Sequence, residues 1–475
     1  MTARWIPATA IVLAAAWSPV SLAQEPVLFE EASSGILELS GHSSLEIEGF
    51  AGTVFVRAGK QGELRYSAAT RTVKREPHPV ALWLRGRKII FRPVAGLETD
   101  ELILEITLPE GLRLRIDHHG GKVQVASVLG DVSVRAVESE VDIRGAAEKV
   151  SVELEGGTLR LENLAGLATV SGTKVGTVHL VRLTGAVDLS LLESVIHASA
   201  ISMLRLDLGN STLEVEGSVG WISGNAIDSR LELVNVRGGG SLQLENTPLS
   251  IKRSRGSFEI DTDAEFTFRA LQGTLKVTGF GGAVIGDGHS GEVIVVNRDA
   301  RISLKNIGGP VVLNGQALKI ELVEIRNTVT MHVVDSEVFA ERVRGGFEVH
   351  NEFGDVSVKG VEGPTRITSR NGSVQARDLT GSVDIEAAGP EVRVEWKTIG
   401  RDGDSRIENS AGDVYVVFPA GAGAKVEAEA DSIESDIEEL RIGNDGRFAN
   451  GLIGNMKTPT VTLRASGRLV ISQLE

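Results

Sequence analysis

The stretch LKVTGFGGAVIGDGHSGEVIVVNRDARISLKNIGGPVVL (residues 275–313) decides the fold, because an apolar pair spaced i, i+2 returns every nine residues along it. The pairs are Leu275/Val277, Val284/Gly286, Val293/Val295, Ile302/Leu304 and Val311/Leu313. They continue as Ile320/Leu322, Val329/Met331, Val338/Ala340, Phe347/Val349 and Val356/Val358. Nineteen of these twenty positions are apolar in a chain that is 41% hydrophobic, Gly286 being the exception. Side chains at i and i+2 share one face of an extended strand, and runs this short do not make a helix. The unit is therefore a short strand with one buried face, followed by a turn.

A turn that needs positive φ favours Gly or Asn and recurs once per structural repeat. Steps of eighteen from Gly273 reach Gly291, Gly309, Asn327, Gly345, Gly363 and Gly381. The intermediate phase, Gly282, Ala300, Leu318, Ser336, Gly354 and Gly372, is only half glycine. One physical repeat is thus about 18 residues and two short strands, which predicts an all-β, single-stranded parallel β-solenoid (β-helix). The same step runs through Val123/Val125, Val132/Val134, Val141/Ile143, Val150/Val152 and Leu159/Leu161, and again through Leu204/Leu206, Leu213/Val215 and Leu231/Leu233. Slips near Gly172 and Gly238 read as lengthened turns. Residues 123–394 leave room for roughly fifteen coils, a rod on the order of 70 Å at about 4.8 Å per coil. A sandwich of short strands also spaces its turns regularly, but seldom keeps a strict period over so many strands.

The composition suits such a fold. Only 4% of the 475 residues are aromatic and 55 are Gly, so a narrow core of Val, Leu, Ile and Ala is expected. Length alone argues for several domains, but a solenoid grows linearly and escapes that prior. Residues 1–23 read as a secretory signal, with Arg4, an apolar run from Ile11 to Trp17, and the small-residue site Ser21-Leu22-Ala23. An uncleaved anchor is the alternative. No later stretch approaches about 18 unbroken apolar residues, so no transmembrane span is expected after signal removal. The chain has no Cys, which excludes disulfides and a lipidated Cys. Its net charge is −15, or −16 without residues 1–23, and an acidic chain is a poor partner for nucleic acid.

Outside the periodic part, residues 24–117 alternate without the nine-residue step and are expected to form an N-terminal β cap; 118–400 form the solenoid. Residues 401–475 read as terminal coils with a C-terminal cap, including a helical turn or two at 431–440. Caps are expected because a bare solenoid end exposes strand edges.

Several phrases are similar to a known family: Leu102 to Gly111 (LILEITLPEG) leading into Gly121-Lys122-Val123-Gln124-Val125; Gly130-Asp131-Val132-Ser133-Val134; Gly354-Asp355-Val356-Ser357-Val358; Asn371-Gly372-Ser373-Val374; residues 412–419 (GDVYVVFP); Gly451-Leu452-Ile453-Gly454; and residues 466–471 (SGRLVI). In these the chain resembles the bacterial putative-adhesin family of β-strand-repeat proteins. It departs from the family's Ser-Gly-Asp turns at Glu138-Ser139-Glu140 and Asn327-Thr328. The resemblance implies a right-handed solenoid and an exported protein, periplasmic, surface-bound or extracellular.

For chemistry, no nucleophile elbow, phosphate loop or zinc-helix motif is present. His118 and His119 are adjacent in a strand, so they point to opposite faces and do not share a metal ion. Asp287-Gly288-His289 and Asp402-Gly403-Asp404 offer too few oxygens for Ca²⁺, and Lys252-Arg253-Ser254-Arg255 reads as an exposed loop. No cofactor is expected. An enzyme acting on polysaccharide needs carboxylates gathered on an outward face. The outward positions between the core pairs are Gln124, Ser133, Asp142, Ser151 and Arg160 in one block. In the other they run Lys276, Ile285, Ile294, Ser303, Val312, Glu321, Thr330, Phe339, Glu348 and Ser357. Neither gathers an acidic pair, whereas Ile294 and Val312 fall on adjacent coils as a candidate partner-contact patch. The expectation is a non-enzymatic, adhesin-like or structural binding protein of the cell envelope, its partner an envelope polysaccharide or protein. A polysaccharide lyase or hydrolase on the same scaffold and a self-assembling envelope scaffold are the alternatives.

Overall fold

The computed structural model describes residues 27–29, 34–39, 41–59, 62–70, 80–94, 102–145, 148–217, 220–400, 403–454 and 458–474. The expected signal, residues 1–23, lies outside them. Every regular element among the described residues is a β-strand, and no helix there is long and apolar enough to cross a membrane. The chain divides into two compact units, Met1–Gly238 and Gly239–Glu475.

In the second unit the nine-residue pattern becomes a parallel β-solenoid. Strand Val293–Arg298 pairs in parallel with Leu275–Phe280 on one side and Val311–Gln316 on the other, with Val293 opposite Val311. The intervening strands, Ala283–His289, Arg301–Ile307 and Lys319–Ile325, pair with one another at the same 18-residue offset, in a second ladder that Glu265–Leu271 and Glu337–Val343 extend at either end. Two strands per coil therefore generate two faces, and each apolar pair points inward: Val293, Val295, Ile302, Leu304, Val311 and Leu313 are all fully buried. Enclosing each such side chain contributes about 1.5–3 kcal/mol. The coils are tied at the corners too, as where the Val293 amide donates to the Pro310 carbonyl at 2.9 Å.

A third inward row lies beyond each second strand pair: Leu271, His289, Ile307, Ile325, Val343, Val361 and Leu379, all buried. It arises because Ala270, Asn306, Glu324, Arg342 and Asp378 take left-handed conformations, φ 53–59°. That corner puts one extra residue outside and returns the next one to the core, as a bulge does.

The glycine column has a different cause from the one its spacing suggested. Gly273 and Gly381 do have positive φ, but Gly291, Gly309, Gly345 and Gly363 do not. A Cβ at Gly291 would be driven into the Gly273 carbonyl, and one at Gly309 into that of Gly291. Close stacking of one coil on the next, and not backbone handedness, excludes a side chain there.

The first unit carries the same parallel offset. Val132 lies opposite Val150, Val141 opposite Leu159 and Val178 opposite Ile196, while Leu189 opposite Leu206 shortens the step to seventeen. Strand Arg113–Ala126 pairs in parallel with Val132–Arg144 and with Ser44–Ala58. Nearer the N-terminus pairing turns antiparallel, Ser34–Glu38 with Glu63–Thr70 and Val80–Arg85 with Lys88–Pro93. At the far end of the second unit, Ala424–Glu429 pairs antiparallel with Phe448–Ile453. The helical turns expected at 431–440 are replaced by strand Ser432–Ser435, which lies parallel to Arg468–Gln473 and buries Ile433. Ladder hydrogen bonds to the last coil outweigh the local helical preference.

Candidate functional site

The residues singled out from the sequence take up four kinds of place. Ile294 and Val312 are side by side in register, both half-buried and outward, bounded by Lys276 and Thr330 in the same column. Exposed Val296 is two residues along the strand from Ile294 and widens the strip by one side chain. His118 is fully buried while His119 is exposed, 4.0 Å from Asp117, so the two rings face opposite ways. His289 is also buried, its ring 5.9 Å from that of Phe268 and its Nε2 3.2 Å from the Glu292 carbonyl. Asp287 instead faces out and accepts from Asn306 Nδ2 at 2.7 Å, so this motif splits between core and surface.

Asp404 accepts the Thr460 amide at 2.7 Å; Asp402 lies outside the described residues. In the basic run, Lys252 ends a strand, Arg253 makes a left-handed corner and Ser254 is buried, its hydroxyl donating to the Lys252 carbonyl. Arg255 donates to Gln272 at 3.0 Å. Four consecutive residues thus form one tight corner.

The feature that sequence reading missed is a concavity of about 860 Å³ in the second unit, formed along the left-handed corner. Three residues in register order build its wall. Ile325 is opposite Val343 and Val343 opposite Val361, so the residues that follow, Arg326, Arg344 and Glu362, step outward one coil apart. Their amides donate in turn to Ile307, Ile325 and Val343 carbonyls at 2.8–2.9 Å. Gly360, at the corner position between Arg342 and Asp378, contributes no side chain and leaves the hollow open.

Nine charged side chains line this hollow, five of them cationic. Arg342 is engaged by Glu324 at 3.1 Å and Glu341 at 2.6 Å, and Lys359 by Asp378 at 3.8 Å. Among the described residues Arg326, Arg344 and Lys397 form no ion pair, and Glu362 is the single carboxylate of the hollow left over with them. Arg326 and Arg344 are like charges on neighbouring strands, an arrangement that costs stability unless an anion sits between them. Guanidinium groups present fixed donor forks that match carboxylate and phosphate. The concavity thus carries one cation more than its carboxylates balance, on a chain of net charge −15.

No family model and no curated protein matches this chain. Among solved structures it is similar to the crystal structure of a "putative cell adhesion protein" from Clostridium sporogenes ATCC 15579, at 8% identity, over 95% of this chain and 100% of that one. The TM-score of that superposition is 0.13.

Proposed function

We propose that this chain is a non-enzymatic, adhesin-like binding protein of the cell envelope, whose second unit takes an acidic polymer in the corner concavity. The observation that carries the reading is the juxtaposition of Arg326 and Arg344 on adjacent coils, neither in an ion pair among the described residues, with Lys397 lining the same hollow further along the stack. A polysaccharide bearing carboxylates or phosphodiesters supplies anionic groups at intervals, and a solenoid supplies cations at a fixed interval of about 4.8 Å. Three of the four carboxylates in the hollow are already held by cations, which supports a binding role over general acid–base work. Residues 1–23, with Arg4, the apolar run and the small-residue site, support export.

The test is binding of the purified chain to polygalacturonate, to a teichoic-type polyphosphodiester and to a neutral glucan, with product analysis in the same tubes. Binding to the acidic polymers, weakened at least tenfold by Arg326→Glu with Arg344→Glu and steeply reduced by salt, is the expected result. Equal affinity for the neutral glucan would sink the charge reading, and cleaved product would replace adhesion by catalysis.

A further inference from the structure

One outward column of the first unit carries two histidines. Its members, in register, are Asp142, Arg160, His179, His197, Glu214 and Glu232. His179 and His197 sit directly opposite on adjacent strands with ring centroids 5.3 Å apart and planes only 19° from parallel. We infer that this pair is a binding site for a divalent d-block cation of the zinc, nickel or copper class, with His179 and His197 as its two imidazole ligands and Glu214 as the residue that orients one of them.

The chemistry follows from what each ring is already doing. Glu214 Oε2 lies 3.0 Å from His197 Nδ1. A carboxylate accepts only, so Nδ1 carries the proton and Nε2 presents its lone pair outward, which is the carboxylate–histidine arrangement that orients metal-ligating imidazoles. The His179 ring makes no hydrogen bond among the described residues, so both its nitrogens are open to solvent or a ligand. Arg160, its other neighbour in the column, is turned aside by Glu162, to which its Nε and Nη2 donate at 3.1 and 2.8 Å.

The fit needs one adjustment. Two imidazole nitrogens each 2.0–2.1 Å from a tetrahedral ion stand about 3.3 Å apart and point at one centre, whereas the two rings now lie nearly parallel. Both rings are on the solvent face, so the adjustment falls to His179, whose ring no hydrogen bond holds among the described residues, while Glu214 keeps His197 in place. Two imidazoles suit zinc, nickel and copper and are a poor match for Ca²⁺ or Mg²⁺, which take oxygen donors. Water completes the coordination, leaving an open position for a donor from a partner.

The second unit provides an internal control. His332 and His350 are likewise opposite one another, but their rings are 6.3 Å apart and tilted by 36°, between Asn314 and Thr368 in the column, where no carboxylate braces either ring.

The experiment is isothermal titration of the untagged full-length chain with Zn²⁺, and electron paramagnetic resonance with one equivalent of Cu²⁺. One saturable Zn²⁺ site is expected, together with a copper spectrum showing two coordinated nitrogens. His179→Ala or His197→Ala should weaken it at least a hundredfold. Glu214→Gln should weaken it about tenfold, the size of a lost orienting partner. His332→Ala with His350→Ala should change it less than twofold. Each variant is taken forward only with an unchanged metal-free unfolding midpoint; all three residues are on the surface, so folding should survive. Absence of a saturable site, or a site that persists in His179→Ala, would overturn the assignment, as would a site lost in the His332/His350 variant instead.

Discussion

Two outward columns, one from each unit, stand on the same lattice and carry different chemistry. In the first unit the column reads Gln124, Asp142, Arg160, His179, His197, Glu214, Glu232; in the second it reads Lys276, Ile294, Val312, Thr330, Glu348, Arg366, Asp384. Each is flanked by inward rows of Val, Leu and Ile of its own strand ladder, buried along their length. The inward rows answer to packing and tolerate little, because each side chain must fill the space between coils. Outward residues answer only to their neighbours one strand away, through pairs such as Arg366 with Asp384 at 3.2 Å or His197 with Glu214 at 3.0 Å. Divergent function on this scaffold is therefore carried by columns, and the core keeps them in register.

The sharpest way to break that contrast is to exchange chemistry between neighbouring residues of one strand. Val293→Asp places a carboxylate in the closed row, where nothing is available to hydrogen-bond it. The expected loss is at least about 4 kcal/mol, read as a collapsed urea midpoint. Ile294→Asp, one residue along and outward, should cost no more than about 1 kcal/mol. Equal losses would mean the two rows are not inside and outside as described.

Next in size is a pH effect from the buried imidazoles, which again differ between the units. His118 is enclosed with both ring nitrogens partnered, Nε2 3.2 Å from the Gly52 carbonyl and Nδ1 2.8 Å from Ser139 Oγ. Burial pushes its pKa down to about 4. The neutral ring donates from Nε2 to the Gly52 carbonyl, and Nδ1 faces Ser139 Oγ, whose hydroxyl donates to the Val137 carbonyl at 2.7 Å. Since the unfolded chain protonates near 6.5 and the folded one near 4, stability is full above 6.5. It falls as pH drops between those values and is insensitive to this group below them. The total loss is on the order of 3 kcal/mol. His289 is also shifted down by desolvation, but its Nδ1 has no partner. His118→Gln should flatten the slope between pH 6.5 and 4 in urea titrations; an unchanged slope would exclude His118 as its source.

How much of this was legible before coordinates depends on residue parity. The two inward rows and their 18-residue offset were readable because alternation places i and i+2 on one face, and Val293 does lie opposite Val311. The concavity was not, because parity fails at the left-handed corner. Counting on from Leu322 puts Glu324 inside and Ile325 outside, whereas Glu324, at φ 59°, leaves Val323 and Glu324 outside and Ile325 buried. Arg326 and Arg344 follow that flip, so no count of alternate positions could align them. A signal did exist in the apolar residues at 307, 325, 343, 361 and 379. The histidine column was hidden by length: Arg160 to His179 is nineteen residues, His179 to His197 eighteen and His197 to Glu214 seventeen, so a fixed step loses the column although strand pairing restores it. The glycine period was visible, but its cause, carbonyl proximity between coils, belongs to three dimensions.

The smallest expected effect tests the apolar interruption of the second unit's column. Ile294 and Val312 are half-buried by each other and by Lys276 and Thr330, so their outward methyl groups shield one another without entering the core. Replacing both by Lys removes that contact and sets two cations one strand apart. This costs about 1 kcal/mol or less at the surface, with the remainder of the ladder unaffected because Val293, Val295, Val311 and Leu313 still close the interior. If the strip is a contact surface for a partner or a second copy, the double variant loses retention in the envelope fraction or sediments as a smaller species while its unfolding midpoint barely moves. If retention and sedimentation are both unchanged, the two aliphatic residues serve only to cover one another, and recognition in this unit rests on the charged corner alone.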